Sequence, residues 1–231
     1  MAAAEPQGRT VLVTGHGSGI GAAIAQRLAE AGWTVIGVDR TAAGSRSPVD
    51  FQIVADLTDP AQIADVVARA PRIQALVHAA GFMRTGDLAG LDLADGEAMW
   101  AVHVQALVRL AKAYGPAMTA GGRILAIGSR TSGGAAGKSQ YAACKAAVTA
   151  LIKSWAIELA PRGVTANVIA PAATATPMLL AGDRADVAPA LPPIGRFIEP
   201  REVAAYVAFV LSPEADAITG QELLICGGAS L

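Results

Sequence analysis

Charged residues and aromatic rings are scarce in this chain of 231 residues, at 16% and 4% of the total. The formal net charge is −1 and the charges do not form blocks, which argues against nucleic acid or an anionic membrane as a partner. No uninterrupted apolar run reaches the roughly 18 residues of a membrane span, and the N-terminus contains no apolar core of a secretory signal. These absences predict a cytoplasmic protein without membrane segments.

Cysteine is also rare, because Cys144 and Cys226 are the only two, and their separation does not match the spacing of metal ligands. We therefore expect free thiols and no metal site. Hydrophobic residues make up 53% of the chain, and a chain of this length can form one α/β domain with a large core. We predict a single domain over residues 1–231, with enough apolar surface for self-association.

Short apolar runs alternate along the chain with segments of helical periodicity. The predicted strands cover residues 10–13, 34–38, 51–55, 75–78, 123–127, 165–169 and 222–225. The predicted helices cover residues 22–31, 58–70, 91–118, 141–159 and 202–211. This alternation predicts an α/β fold, a doubly wound parallel sheet of the Rossmann-like type with helices on both faces. Ligands of such sheets bind beyond the carboxyl ends of the strands.

A glycine-rich loop, Thr14-Gly-His-Gly-Ser-Gly-Ile-Gly21, lies between the first predicted strand and the first predicted helix. Such a loop lets the backbone approach a dinucleotide pyrophosphate, although a plain turn can have the same composition. Asp39 ends the second strand and can accept hydrogen bonds from the adenosine ribose, unless it is only a solvated strand end. Its charge would repel a 2′-phosphate and favours NAD over NADP, whereas the neighbouring Arg40 could hold that phosphate.

Tyr141 and Lys145 stand four residues apart at the start of a predicted helix, with Ser129 twelve residues before Tyr141. Residues four apart share one helix face, so a phenol and an ammonium would project into the same space. The pKa of a phenol is ordinarily near 10, and a cation at about 4 Å would lower it toward neutrality. The pattern indicates an acid/base catalyst, although surface neighbours commonly have the same spacing.

With these pieces in order, the chain resembles the short-chain dehydrogenase/reductase family from about residue 10 to residue 228. The motifs that carry the resemblance are Thr14-Gly15-x-x-x-Gly19-Ile20-Gly21, Asp39, Asp56-Leu57, Ala80-Gly81, Ile127-Gly-Ser129, Tyr141-x-x-x-Lys145, Asn167, Pro171 with Thr176, and Gly195-Arg196-Phe197. The resemblance implies an NAD(P)-dependent oxidoreductase that acts on a hydroxyl or carbonyl group. It also implies a homotetramer or homodimer, built partly on the two long helices.

The resemblance assigns roles to individual residues. It implies that Tyr141 is the general acid/base, that Lys145 lowers its pKa and holds the nicotinamide ribose, and that Ser129 hydrogen-bonds the substrate oxygen. The cofactor would also be bound by Gly15, Ser18, Gly19, Ile20, Asp39, Arg40, Asp56, Leu57, Ala79, Gly81, Pro171 and Thr176.

The chain departs from the family where asparagine is usual. His78 and Ala79 replace two such residues after the fourth strand, which alters a polar brace there. His103 aligns with the asparagine that completes the proton relay, and it could hold a relay water while titrating near pH 6.5. A lone helix histidine is more commonly a packed residue. A non-catalytic dinucleotide-sensing or scaffold protein with this fold is therefore the alternative from another class.

The substrate is the least determined part of the prediction. Residues 174–197 are rich in Ala, Pro and Asp and predict a mobile substrate lid. The apolar lid residues are Met178, Leu179, Leu180, Leu191 and Ile194. They favour a partly hydrophobic small molecule, and we expect a secondary alcohol or ketone. The segment around Arg84 resembles dehydrogenases of carboxylated cyclohexadiene diols, in which an arginine could clamp the carboxylate, although a solvated loop arginine is the simpler interpretation.

Overall fold

The computed structural model describes residues 9–42, 44, 47–180 and 189–231. At its centre lies a seven-stranded parallel sheet in the order β3-β2-β1-β4-β5-β6-β7. The strands are β1 Thr10–Thr14, β2 Thr34–Asp39, β3 Phe51–Val54, β4 Ala75–His78, β5 Arg123–Ile127, β6 Thr165–Pro171 and β7 Glu222–Ile225. The strand order reverses between β1 and β4, which opens a crevice at their carboxyl ends. The predicted doubly wound α/β fold is confirmed.

The described part of the chain contains seven α-helices. They are α1 Gly19–Glu30, α2 Pro60–Arg69, α3 Leu93–Trp100, α4 Ala106–Tyr114, α5 Ser139–Leu159, α6 Pro177–Leu180 and α7 Pro200–Val210. Helices α1 and α7 pack together on one face of the sheet, whereas α2, α4 and α5 pack on the other.

The core consists of two clusters, one on each side of the sheet. Leu12 of β1 joins the cluster that contains Leu107 and Ile152, while its neighbours Val11 and Val13 join the opposite cluster. Successive strand residues point to opposite faces, so β1 must be apolar at consecutive positions. This burial on both faces explains why the strands read as continuous apolar runs.

The helix predicted over residues 91–118 is wrong in detail, because the structure interrupts it. Asp92 precedes α3 and its side chain accepts the N–H groups of Ala94 and Asp95, so the helix begins only at Leu93. One turn of π-helix, Ala101–Gln105, then separates α3 from α4, which ends at Tyr114. The sequence has unbroken helix propensity here, so the extra residue of the π turn leaves no mark in composition.

The other helices were predicted at the correct places, with small differences at their starts. Helix α1 already begins within the glycine loop, at Gly19. Helix α7 begins at Pro200, because Glu199 and Glu202 form a capping box around it. Over the ranges that the structure describes, no helix combines the length and the apolar character needed to cross a membrane.

Candidate active site

A cavity of about 510 Å³ opens at the carboxyl ends of the strands. Most of the predicted site residues line it, namely Gly15, Ser18, Gly19, Ile20, Asp39, Arg40, Leu57, Ala79, Gly81, His103, Ser129, Tyr141, Lys145, Pro171 and Thr176. Asp56 lies outside this lining. Its Oδ1 accepts the N–H and the O–H of Thr58 at 2.9 and 2.8 Å. The fold thus brings the predicted cofactor and catalytic residues to one cavity.

The glycine loop lies close to the loop that follows β4. A Cβ atom on Gly15 would lie 2.7 Å from the Cα of Ala80, and the φ angle of Gly15 is +73°. Only glycine is compatible with both the space and the backbone conformation. Helix α1 begins without a side-chain cap from Ser18 and without an acidic residue in its first turn. Its positive end is therefore available to an anion, and this cradle fits the pyrophosphate of a nicotinamide dinucleotide.

Asp39 lies at the end of β2, beside the glycine loop. Its Oδ2 accepts the N–H of Gly17 at 3.0 Å, and its Oδ1 accepts the N–H of Thr41 at 3.4 Å. Arg40 lines the cavity beside it. Asp39 is the only carboxylate among the lining residues that the structure describes, so negative charge is confined to this end.

Ser129, Tyr141 and Lys145 all line the cavity. Ser129 lies two residues after the end of β5, and Tyr141 and Lys145 occupy successive turns at the start of α5. The Lys145 ammonium donates a hydrogen bond to the Ile127 carbonyl at 2.7 Å. The same nitrogen lies 5.6 Å from the centroid of the Tyr141 ring. The four-residue spacing therefore does place a phenol and a cation side by side.

Burial determines the charge state of Lys145, whose residue is 5% exposed. Desolvation lowers its pKa from 10.5 to about 8, and the effect of Cys144 opposes this only in part. The ammonium is therefore still the main form at neutral pH. A cation with little water around it acts strongly on its neighbours.

A hydroxyl that the sequence reasoning missed lies next to Ser129. Thr131 lines the cavity and is half-buried. Its Oγ1 lies 2.9 Å from the Ser129 Oγ, and its N–H donates to that Oγ at 3.2 Å. The sequence does contain a signal for this contact, because Thr131 stands two residues after the predicted active-site serine. Serine and threonine at this spacing commonly form local hydrogen bonds in turns.

His103 lies within the π turn and packs against Tyr141. Its Nε2 is 2.7 Å from the Phe82 carbonyl oxygen, and its ring meets the Tyr141 ring edge-on with centroids 5.5 Å apart. Because a carbonyl only accepts, Nε2 carries the proton, and Nδ1 has no hydrogen-bond partner in the described structure. Burial, and then the charge of Lys145, hold the pKa of His103 well below 6.5. The predicted ionisation near pH 6.5 is therefore wrong.

His78 supplies the polar brace at the end of β4. Thr14 Oγ1 accepts the N–H groups of Ala79 and Ala80 at 3.1 and 3.0 Å, so its own hydrogen points to His78 Nδ1 at 3.0 Å. His78 Nε2 then donates to the Val102 carbonyl of the π turn at 3.0 Å. Burial, and then Lys145, lower the pKa of His78 to about 4. A neutral imidazole thus ties β1 and β4 to the π turn.

Arg84 does not line the cavity. Its Nε lies 3.7 Å from Asp95 Oδ1, and its guanidinium lies 5.2 Å from the centroid of the Phe82 ring. Its side chain is 42% exposed, so the solvated loop arginine describes it better than a carboxylate clamp.

The predicted lid is described only in part, since residues 181–188 lie outside the described residues. From its described parts, Met178, Leu179 and Leu191 line the cavity, whereas Ile194 lies outside the lining and is 51% exposed.

Known proteins resemble this chain over nearly its whole length. The family model described as enoyl-(acyl carrier protein) reductase matches residues 15–230. A 3-oxoacyl-[acyl-carrier-protein] reductase FabG from Vibrio cholerae is 36% identical over 237 residues, which cover 96% of this chain and 97% of that protein. A short-chain dehydrogenase from Burkholderia cenocepacia, solved with NADP, is 36% identical with a TM-score of 0.85, covering 97% of this chain and 99% of the other. A 3-ketoacyl-(acyl-carrier-protein) reductase from Brucella melitensis, solved with NADH, is 28% identical with a TM-score of 0.85 and the same coverage.

The sheet order, the motif positions and these similarities agree with one another. The glycine cradle has the shape that a dinucleotide needs, and the two similar structures were solved with NADP and NADH. The chain is therefore a nicotinamide-dependent oxidoreductase, and it belongs to the short-chain dehydrogenase/reductase family.

Proposed function

We propose that the protein transfers a hydride between a nicotinamide cofactor and a secondary alcohol or ketone. The observation that carries this proposal is the meeting of Ser129, Tyr141 and Lys145 in the cavity that also contains the glycine loop. A phenol, a buried ammonium and a serine hydroxyl are the groups that a carbonyl oxygen needs when it gains or loses a proton.

The glycine loop and the start of α1 would hold the pyrophosphate, and Asp39 would hold the adenosine ribose. When bound, the cofactor supplies or accepts the hydride. We propose a preference for NAD, because a 2′-phosphate would face the Asp39 carboxylate. Arg40 is the residue that opposes this preference. The two similar structures, one with NADP and one with NADH, are compatible with either cofactor.

In the reduction of a ketone, Tyr141 donates its phenolic proton to the substrate oxygen, and Ser129 donates a hydrogen bond to the same oxygen. Lys145, fixed on the Ile127 carbonyl, stabilises the phenolate that remains. In the oxidation of an alcohol, the phenolate removes the hydroxyl proton. Ser129 and Tyr141 thus both act on the substrate oxygen, and only Tyr141 transfers a proton to or from it.

His103 would act in this site as a neutral group. Its Nε2 hydrogen is committed to the Phe82 carbonyl, and its Nδ1 lone pair remains in the cavity wall. We therefore assign His103 to hold the Tyr141 ring by edge-on packing, because its Nδ1 is buried and leaves no surface for a relay water. This role replaces a titrating relay group.

Two substrate classes are candidates. The apolar lining by Met83, Met178 and Leu179 favours a partly hydrophobic ketone or secondary alcohol. The similarity to the Vibrio cholerae protein favours a 3-oxoacyl thioester as the second candidate. A carboxylated diol has less support, because Arg84 is engaged with Asp95 outside the cavity.

A fluorescence titration with NADH and NADPH tests the cofactor proposal. We expect NADH to bind more tightly, and Asp39→Asn to improve NADPH binding by about tenfold, since it removes one nearby charge without changing the shape. Asp65→Asn is the matched control, because Asp65 is 60% exposed and lies on α2. Tighter NADPH binding by the unaltered protein would instead assign the preference to Arg40.

Turnover separates an enzyme from a dinucleotide sensor of the same fold. Tyr141→Phe removes only the phenolic oxygen, so we expect turnover to fall by at least about a hundredfold while NADH affinity stays unchanged. The panel would contain cyclohexanone, cyclohexanol and an acetoacetyl thioester. Firm NADH binding with no turnover of any compound by the unaltered protein would favour the sensor.

We also propose that residues 174–197 act as the lid of a single domain, and a cytoplasmic location stays a prediction.

We further propose that copies of the chain associate through a groove between α4 and α5. The groove is lined by Trp100, Val104, Gln105, Val108, Arg109, Lys112, Ala147, Ala150, Leu151 and Ser154. Light scattering on Val108→Asp tests the groove. A dimer or tetramer should dissociate toward the 23.3 kDa chain, and an unchanged mass would place the interface elsewhere.

A further inference from the structure

Thr131 and Ser129 form a pair of hydroxyls at the cavity wall. Ser129 follows β5 and is 8% exposed, and Thr131 lies in the 3₁₀ turn Arg130–Gly133 that Ser129 caps. Two contacts join them, the Oγ–Oγ1 contact of 2.9 Å and the Thr131 N–H donation to the Ser129 Oγ at 3.2 Å. The Ser129 oxygen is thus approached by two polar atoms of a single residue.

We propose that Thr131 is a positioning residue that makes Ser129 an obligate hydrogen-bond donor to the substrate oxygen. A hydroxyl has one hydrogen and two lone pairs. The Thr131 N–H occupies one lone pair of Ser129. The Oγ–Oγ1 distance allows either hydroxyl to be the donor, and we assign the donation to Thr131, whose O–H then occupies the other lone pair. The single hydrogen of Ser129 must then point away from Thr131, toward the cavity.

In the opposite orientation, the Ser129 hydroxyl would donate its only hydrogen to Thr131 Oγ1. A ketone oxygen carries no hydrogen, so it gains only from donors, and Ser129 would then have none to offer. With Thr131 as the donor, Ser129 and Tyr141 both direct hydrogens to one oxygen. This inference rests on the proposed function, because it assumes a substrate oxygen at that place.

The turn itself is held without the Thr131 hydroxyl. Ser132 Oγ donates to Glu222 Oε1 of β7 at 2.8 Å, and the Ser132 N–H donates to the Ser129 carbonyl at 3.0 Å. The Gly134 N–H donates to the Thr131 carbonyl at 2.9 Å. Replacing Thr131 by valine therefore keeps the turn and the N–H contact and removes one O–H.

Steady-state kinetics on cyclohexanone and an acetoacetyl thioester test the proposal. We expect Thr131→Val to lower kcat about three- to tenfold, the size of one hydrogen bond, with KM and NADH affinity nearly unchanged. Thr131→Ser should recover the kcat of the unaltered protein. Thr119→Val is the matched control, because it makes the same chemical change at an exposed residue that does not line the cavity.

A double-mutant cycle decides whether Thr131 acts through Ser129. In a Ser129→Ala background, Thr131→Val should cause no further loss of kcat. An equal loss in both backgrounds, or no recovery with serine, would overturn the proposal.

Crystal structures give a readout that does not depend on turnover. A neutron structure of the unaltered protein should show the deuterium of Thr131 Oγ1 pointing to Ser129 Oγ and the deuterium of Ser129 pointing away from Thr131. If the Ser129 deuterium points to Thr131, or if the two oxygens lie beyond hydrogen-bond distance, Thr131 does not position Ser129. Absence of turnover in the unaltered protein would count against the proposed function alone.

Discussion

Acid should destabilise the fold through His78, whose neutral ring joins Thr14 to the π turn. The pKa of His78 falls from 6.5 to about 4 in the folded state, because the ring is buried and faces the charge of Lys145. Above pH 6.5 neither state binds the proton and the stability is complete. As the pH falls below 6.5, the unfolded chain takes up a proton that the folded ring refuses until about pH 4, so the free energy of unfolding decreases.

The magnitude follows from the two pKa values. Proton linkage removes about 2 kcal/mol of unfolding free energy between about pH 8 and about pH 5, and about 3 kcal/mol by about pH 4. In His78→Asn this contribution is absent. The variant should be less stable at about pH 8, where it loses the imidazole contacts, yet it should lose about 2 kcal/mol less on acidification.

Urea unfolding of both proteins at the two pH values measures the difference. The carboxylates also respond to acid, but they are common to both proteins and cancel in the comparison. His103 cancels nearly as well, because burial and Lys145 lower its pKa more than His78 does. An equal loss of stability in the two proteins would refute the reasoning. NMR titration of the three histidines gives an independent check, since the His78 signal should not move above about pH 5.

Three further changes have defined outcomes. His103→Asn should leave the pH–rate profile unchanged near pH 6.5, because the pKa of His103 lies well below that value, and a lost inflection there would contradict the assignment. Gly37→Ala should lower the melting temperature and weaken NADH binding, since the new Cβ would lie 2.1 Å from the His16 ring, and unchanged values would show that the ring moves aside at no cost. Asp216→Asn should lower the free energy of unfolding by about 1–2 kcal/mol in denaturant titrations, because the 4% exposed Arg123 side chain loses its carboxylate; equal stability of the two proteins would contradict this.

Much of the fold could be predicted from the sequence because its signals are local. The buried run that becomes β1 and the glycines after it determine strand, turn and helix within a few residues of one another. The four-residue spacing of Tyr141 and Lys145 likewise needs only a helix to bring the two side chains together. Such features follow from dihedral preferences and periodicity, which every chain carries in its sequence.

The remaining features depend on contacts between distant segments. The low pKa of His103 results from burial against α5 and from the charge of Lys145, neither of which a sequence motif displays. Asp56 is predicted to bind the cofactor, and only the structure shows that its Oδ1 accepts the N–H and the O–H of Thr58. The pairing of Thr131 with Ser129 depends on the 3₁₀ turn Arg130–Gly133, which brings the two hydroxyls together.

The π turn at Ala101–Gln105 makes the number of residues in this segment a constraint on function. Each helical residue advances by about 100°, so one residue more or less rotates everything on one side of the turn relative to the other. A single-residue deletion there would restore a regular helix, yet it would turn the histidine away from the tyrosine ring. This stretch should therefore tolerate substitution far better than a change in length.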